Sequence, residues 1–415
     1  MLMGSLKTIT MPVDGMIVLA NHFQTINMVQ PLSLHIDDNV TEDLKKRLGA
    51  TRWPDEVANE KWEYGTNEAY LKELCNYWQH DFDWKKQEAY LNTFQHYKTT
   101  IDGNGIHFIH QKGSGKNAIP LLLLHGWPDS FVRFLKMLPL LTAEGAHDLS
   151  FDVVVPSIPG YGFSDIPHKA GMNMKHIAGL FSRLMTEELG YKQFIVHGGD
   201  WGANIAEDIG LYHAGSLLGV HITYIPFQHS FKEPDDVTRA EKKYMDAVKR
   251  WQQTDGAYSM IQSTRPQTLA YGLSDSPAGL AAWIIEKFYA WSDCNGDLEN
   301  CYTKDELLTN IFIYWATGTI NSSFRLYHET MKDMVQEMYN PLTKLNPFDK
   351  TGQRVMVPTA VAMFPKDISN PPREFAERFF NVQEWTEMPR GGHFQAMEQP
   401  ELLANDIRKF ADKLI

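Results

Sequence analysis

Residues 194–210 read Phe-Ile-Val-His, then Gly-Gly-Asp-Trp-Gly, then Ala-Asn-Ile-Ala-Glu-Asp-Ile-Gly. No other stretch narrows the fold as much. A short apolar run, Phe194–His197, has the character of a buried strand, and Ala203–Gly210 that of a helix. The turn between them carries glycine at both second neighbours of Asp200, at 198 and 202. Such spacing suits a reversal so sharp that the flanking backbones crowd each other. A strand that delivers one polar side chain on a sharp strand-to-helix turn is a nucleophile elbow. It requires a sheet with helices packed on it.

The surrounding chain agrees. Asp102-Gly103-Asn104-Gly105 is a hairpin signal between Tyr97–Ile101 and Ile106–Gln111. Ile119–Leu124, Phe151–Pro156, Gly219–Tyr224 and Val355–Phe364 are further strand candidates, and Lys175–Leu189 is a helical segment between two of them. Alternating strands and helices predict an α/β fold with a mostly parallel sheet. Residues 228–330 have helical texture instead, with Ser276-Pro277 as a helix start followed by Leu280, Trp283, Ile284 and Phe288. A last helix carries Leu403, Ile407, Phe410 and Leu414 on one face. The predicted organisation is an N-terminal extension and meander over 1–95, a first part of the core over 96–227, a helical cap over 228–330 and a second part of the core over 331–415. In the meander Val40, Leu44 and Leu48 recur at helical spacing, with Trp53-Pro54 as the stop. Met11–Val29 is interrupted by Asp14, Asn21, His22, Gln24 and Asn27, so it reads as an extension and not as a signal peptide.

Composition removes several classes of function. The chain has 415 residues and a formal net charge of −12, without a basic run, which argues against nucleic-acid binding. Three cysteines, Cys75, Cys294 and Cys301, form neither a disulfide framework nor a zinc spacing, and suit a reducing compartment. No run of about 20 apolar residues predicts a membrane span. Gly113-Ser114-Gly115-Lys116 resembles part of a phosphate loop, but His110 and Asn117 stand where that motif needs Gly and Ser or Thr.

The chemistry follows from the aspartate. A serine alkoxide attacking an sp³ carbon would leave an ether that water does not readily cleave, whereas a carboxylate leaves a hydrolysable ester. Asp200 therefore points to alkylated intermediates, from epoxides or from carbon–halogen bonds. His125-Gly126-Trp127-Pro128-Asp129-Ser130 follows a strand, in the place where a loop supplies one backbone N–H of an oxyanion hole; the residue after the nucleophile supplies the other. Trp127 and Trp201 are the two predicted donors. Arg390-Gly391-Gly392-His393-Phe394 precedes the last helix, giving the order nucleophile, acid, histidine. The acid should end a late strand. The end of the Gly219–Tyr224 run has no carboxylate before Glu233, so Asp367 in Pro365-Lys366-Asp367 is the better candidate. Glu398 lies on the wrong side of His393.

Together these residues resemble epoxide hydrolases of the microsomal type, including their soluble microbial relatives. H-G-W-P, G-G-D-W-G and R-G-G-H-F match in order, and the stretch from Pro31-Leu32 through Arg52-Trp53-Pro54 to Trp84 resembles that family's meander. The similarity spans roughly residues 30–412. It implies an α/β-hydrolase fold and two cap tyrosines that hydrogen-bond the epoxide oxygen. Tyr258 and Tyr327 fit those places, with Tyr314 as the main decoy. It also implies catalysis without a cofactor or metal, on a small apolar epoxide and water. Membrane-bound relatives carry an anchor helix that this sequence lacks, so a cytoplasmic enzyme is expected, with a homodimer as a family-level expectation. The rival on the same fold is a haloalkane or haloacid dehalogenase, which needs a halide cradle of Trp, Asn or His donors in place of the tyrosine pair. A catalytically silent binding protein is opposed by the complete set of nucleophile, acid and base.

Overall fold

A computed structural model describes residues 29–58, 61–145, 149–231, 233–338 and 353–415. The expected N-terminal extension up to residue 28 lies outside them. Among the described residues nine strands form one sheet: β1 (Gln30–Pro31), β2 (His96–Ile101), β3 (Asn104–Gln111), β4 (Ile119–Leu124), β5 (Phe151–Pro156), β6 (Phe194–Gly198), β7 (Leu217–Ile222), β8 (Val355–Met363) and β9 (Phe380–Glu387). Their order is β1-β2-β3-β5-β4-β6-β7-β8-β9. From β5 to β9 every pairing is parallel, while β1, β2 and β3 add an antiparallel edge. The hairpin signal is realised. Asp102 and Gly103 have φ of 51° and 76°, the left-handed pair of a two-residue turn whose twist suits the strands it joins.

The central strands are continuous apolar runs because helices cover both faces. Leu121 to Leu124 of β4 and Phe194 to Val196 of β6 are fully buried. Their register decides where the chemistry sits. Leu124 pairs with Gly198, so the loops after β4 and β6 leave the sheet side by side. Ile222 of β7 pairs with Val361 of β8, which brings the loop after β8 to the same edge.

Some bounds differ from expectation. β7 ends at Ile222, and Thr223 and Tyr224 belong to the loop that opens the cap. The helix of the meander ends at Gly49, before Trp53-Pro54. Lys175–Leu189 is a helix over Met174–Arg183 that widens into a π-turn over Leu184–Glu188. β9 is not anticipated by apolar runs, because Asn381, Gln383 and Glu384 dilute Phe380 and Val382 on this edge strand.

Between β7 and β8 stand the helices Arg239–Thr254, Ala257–Thr264, Pro266–Asp275, Pro277–Trp291, Lys304–Thr317 and Ile320–Met338; the last runs through residue 330. Capping is explicit. Ser276 accepts the Gly279 N–H, and Thr238 with Glu241 and Thr303 with Glu306 form reciprocal boxes. The meander braces this cap from outside. Trp62 stacks on Tyr289 at 4.0 Å, Trp84 packs on Phe312 at 4.5 Å, and Tyr77 donates to Asp305 at 2.9 Å. Among the described residues no helix is long and apolar enough to cross a membrane.

Candidate active site

The elbow is as tight as its glycines imply. Asp200 is held at φ 52° and ψ −131° at the start of the helix Trp201–Tyr212, a conformation that costs a non-glycine residue about 1–3 kcal/mol. A Cβ on Gly202 would stand 2.1 Å from the Leu124 carbonyl oxygen, and one on Gly126 would stand 2.2 Å from Asp200 Oδ1. The first absence lets the helix sit against β4; the second leaves room for the carboxylate.

Asp200 Oδ1 accepts the Trp127 backbone N–H at 2.8 Å. Burial opposes ionisation of Asp200, but His393 and the backbone N–H groups of Trp127 and Trp201 outweigh it and hold the carboxyl below its ordinary value. Its other oxygen, Oδ2, is 3.4 Å from His393 Nε2, which makes no aligned hydrogen bond. His393 Nδ1 stands 2.7 Å from Asp367 Oδ1, so Asp367 fixes which ring nitrogen faces Asp200. Burial works against the imidazolium, yet Asp367 and Asp200 together raise its pKa to about 10. The predicted nucleophile, acid and histidine thus converge at one edge of the sheet, joined further by the parallel bridge between Lys366 and Gly392.

Several supporting residues carry no motif of their own. Gln395 donates to Asp367 Oδ2 at 2.6 Å, and the Ile368 N–H donates to Oδ1 at 2.7 Å. Arg133, paired with Asp129, donates to Gln395 at 3.0 Å and to the His393 carbonyl at 3.2 Å. Asp129 also accepts the Gly126 N–H at 2.9 Å, tying the loop after β4 to the histidine loop. Glu398 accepts three backbone N–H groups, from Asp293, Gly392 and Phe394, at 2.8, 2.9 and 2.9 Å. It shapes the histidine loop and does not reach the ring. A polar residue inside H-G-W-P-D-S and one just past R-G-G-H-F were the available signals for Asp129 and Gln395.

Above Asp200 lies a cavity of about 770 Å³, roofed by the cap. Tyr258 and Tyr327 both line it, their rings 6.2 Å apart and near perpendicular. Tyr258 stacks on Trp127 at 5.2 Å, and Tyr327 meets Trp201 edge-on at 4.6 Å. Burial pushes both hydroxyls well above the usual tyrosine range, and the Asp200 carboxylate adds to it. Tyr314 is excluded as a partner for a ligand, since its hydroxyl donates to the Asp129 carbonyl at 2.7 Å. Of the cap aromatics, Trp251 lines the cavity, whereas Phe288 stacks on Phe394 at 4.1 Å and the Trp291 indole donates to Asp255 at 2.7 Å. Tyr224, just past β7, also lines the cavity and stands edge-on to His393 at 6.3 Å.

Two family models match the chain: "Epoxide hydrolase N terminus" over residues 29–134 and "alpha/beta hydrolase fold" over residues 119–213. Epoxide hydrolase 1 of Oryctolagus cuniculus is 36% identical, across 92% of this chain and 88% of that protein. Among solved structures, the juvenile hormone epoxide hydrolase from the silkworm Bombyx mori superposes with a TM-score of 0.82 at 30% identity, covering 94% of this chain and 95% of that one. The Aspergillus niger epoxide hydrolase superposes with a TM-score of 0.79 at 28% identity, covering 93% and 96% respectively.

Proposed function

Because this chain belongs to the epoxide hydrolase family, we propose that Asp200 is its nucleophile, His393 its base, Asp367 the acid that orients His393, and Tyr258 and Tyr327 the donors to the epoxide oxygen. The reading rests above all on one arrangement. An ionised carboxylate, with Oδ1 held by the Trp127 N–H and Oδ2 facing His393 Nε2 at 3.4 Å, lies beneath two neutral phenols in a cavity roofed by the cap.

The two carboxylate oxygens divide the work. Oδ1 is engaged by Trp127, so Oδ2 is the oxygen free to attack an epoxide carbon. The C–O bond of the ring breaks on the far side of that carbon, and the departing oxygen takes a hydrogen bond and then a proton from the tyrosine pair. The product of this step is an alkyl ester in which Oδ1 has become the carbonyl oxygen, already held by the Trp127 N–H. Ester formation also removes the Asp200 charge that helps keep His393 protonated. Its pKa falls, its proton passes to the tyrosine pair to replace the one given to the opened ring, and the neutral imidazole becomes able to take a proton from water attacking the ester carbonyl. The tetrahedral oxyanion rests on the backbone N–H groups of Trp127 and Trp201; collapse breaks the acyl C–O bond, and the departing alkoxide takes the remaining proton of the attacking water, so a vicinal diol leaves while Asp200 is again a carboxylate and His393 again an imidazolium.

The reactants are accordingly an apolar epoxide and water. The dehalogenase alternative loses ground, because the relatives matched over most of this chain are epoxide hydrolases. His393→Gln should accumulate a covalent adduct of one substrate mass on Asp200 when mixed with styrene oxide, read by intact mass and peptide mapping. An active wild type whose His393→Gln form never carries an adduct, with solvent ¹⁸O entering the diol directly in a single turnover, would show that attack does not pass through Asp200.

A further inference from the structure

The helix Ile320–Met338 lines the cavity with Tyr327, Thr330, Met331 and Met334, the i, i+3, i+4, i+7 stripe of one helix face. At 1.5 Å per residue, Thr330 lies about 4.5 Å along the axis from Tyr327, and Met334 about 10.5 Å. The stripe measures distance from the reacting oxygen: a phenol, then a hydroxyl, then two thioethers. Met260 and Phe231, also lining the cavity, are 57% and 44% exposed and mark its outer end.

Thr330 is 6% exposed, and its Oγ1 has no hydrogen-bond partner among the described residues. A threonine in a helix ordinarily satisfies its hydroxyl on the carbonyl one turn earlier. Thr142, Thr186, Thr264 and Thr317 do so here, at 2.8, 2.9, 2.6 and 2.7 Å. Thr309 shares the unpaired state of Thr330, but it faces a separate hollow of about 70 Å³ against Arg133 and Lys136. A buried hydroxyl without a partner is unfavourable. On a cavity wall beside the reaction centre, a bound molecule can supply that partner.

We propose that Thr330 forms a specificity subsite for an oxygen atom carried next to the oxirane, so that the enzyme favours glycidyl-type epoxides, whose ether, ester or hydroxyl oxygen meets Thr330 while an apolar remainder runs along Met331 and Met334. The assignment rests on Tyr327 holding the epoxide oxygen as described above. It makes Thr330 a residue that touches substrate and sets preference without taking part in bond making.

Phenyl glycidyl ether and 1,2-epoxy-4-phenylbutane differ only by O in place of CH₂, which makes them a matched pair of probes. The ratio of their kcat/KM values in wild type, Thr330→Val and Thr330→Ser cancels the intrinsic reactivity of each ring. Thr330→Val should lower the ether preference about fivefold, whereas Thr330→Ser should keep it within about twofold. Thr330→Val should also leave Tm unchanged or raised, since no hydrogen bond of the free protein is lost. An unchanged ratio in an active Thr330→Val enzyme, or an equal loss in Thr330→Ser, overturns the subsite alone. A wild type that opens neither epoxide overturns the underlying assignment of the tyrosines and the subsite with it.

Discussion

The floor and the roof of the cavity are held by different kinds of constraint. On the floor, Asp200, His393 and Asp367 are fixed by backbone groups and by each other: the Trp127 N–H on Asp200, the Ile368 N–H and Gln395 on Asp367, and glycines where any Cβ would collide. On the roof, Tyr258 and Tyr327 are positioned by ring packing against Trp127, Trp201 and each other. Hydrogen bonds to backbone are directional and fix an attacking atom to tenths of an ångström. Ring packing has a broader optimum. The contrast matches the two tasks. In the proposed mechanism the nucleophile must meet carbon along one line, whereas the donors must follow an oxygen that recedes as the ring opens.

If that division is real, the two halves of the reaction respond separately to damage. The largest effect is expected on the floor. His393→Gln should cut steady-state turnover by about 10³-fold or more while sparing ester formation, seen as a single-turnover burst in rapid quench. The roof should give the mirror image. Tyr258→Phe with Tyr327→Phe should slow ester formation by about 10³-fold, and each single change by about 10-fold or more, while an ester once formed is hydrolysed at the wild-type rate. A double variant that slows hydrolysis as much as alkylation would tie the tyrosines to the floor and dissolve the distinction. Gln395→Leu is a smaller perturbation. It removes a donor from Asp367 and leaves the Asp367–His393 contact, so a loss of about 10-fold confined to the hydrolytic step is expected. An equal loss in both steps would mean that Gln395 serves general packing.

The same contrast explains what could be read from the sequence. The floor is built where strands end. A sharp turn demands glycine, and the register of a parallel sheet brings successive strand ends together, so local motifs point to Asp200, Trp127 and His393 directly. Asp367 needed the extra rule that the acid follows a late strand; the fold places its Oδ1 2.7 Å from His393 Nδ1. The roof is built from helix faces, on which a tyrosine facing a cavity and one facing a carbonyl share the same spacing. Tyr314 and Tyr327 could be told apart only by resemblance, until the Tyr314 hydroxyl was found on the Asp129 carbonyl. Gln395 and Arg133 were not singled out: a place beside R-G-G-H-F or Asp129 gives neither a role until the fold brings in distant partners, Asp367 at 28 residues from Gln395 and Gln395 at 262 from Arg133. β9 escaped because an edge strand need not be continuously apolar.

A balance of charge lets one histidine serve both halves. In the resting site His393 is an imidazolium with a pKa near 10, raised by Asp367 and Asp200 against the opposing effect of burial. Because its folded value lies above the ordinary 6.5, this interaction stabilises the protein fully below about pH 6.5 and is lost as pH rises through about 10. Asp200→Asn is neutral, as the ester is, and keeps a carbonyl oxygen for the Trp127 N–H. It removes one of the two carboxylates while burial still acts, so the His393 pKa must fall and the alkaline limit of stabilisation must move to lower pH. An NMR titration of the His393 ring in wild type and Asp200→Asn measures the first shift. The difference in Tm between the two proteins, followed from pH 6 to 10.5, measures the second. A His393 pKa that stays near 10 in Asp200→Asn would mean that Asp367 alone sustains the imidazolium, and that forming the ester does not prepare the base.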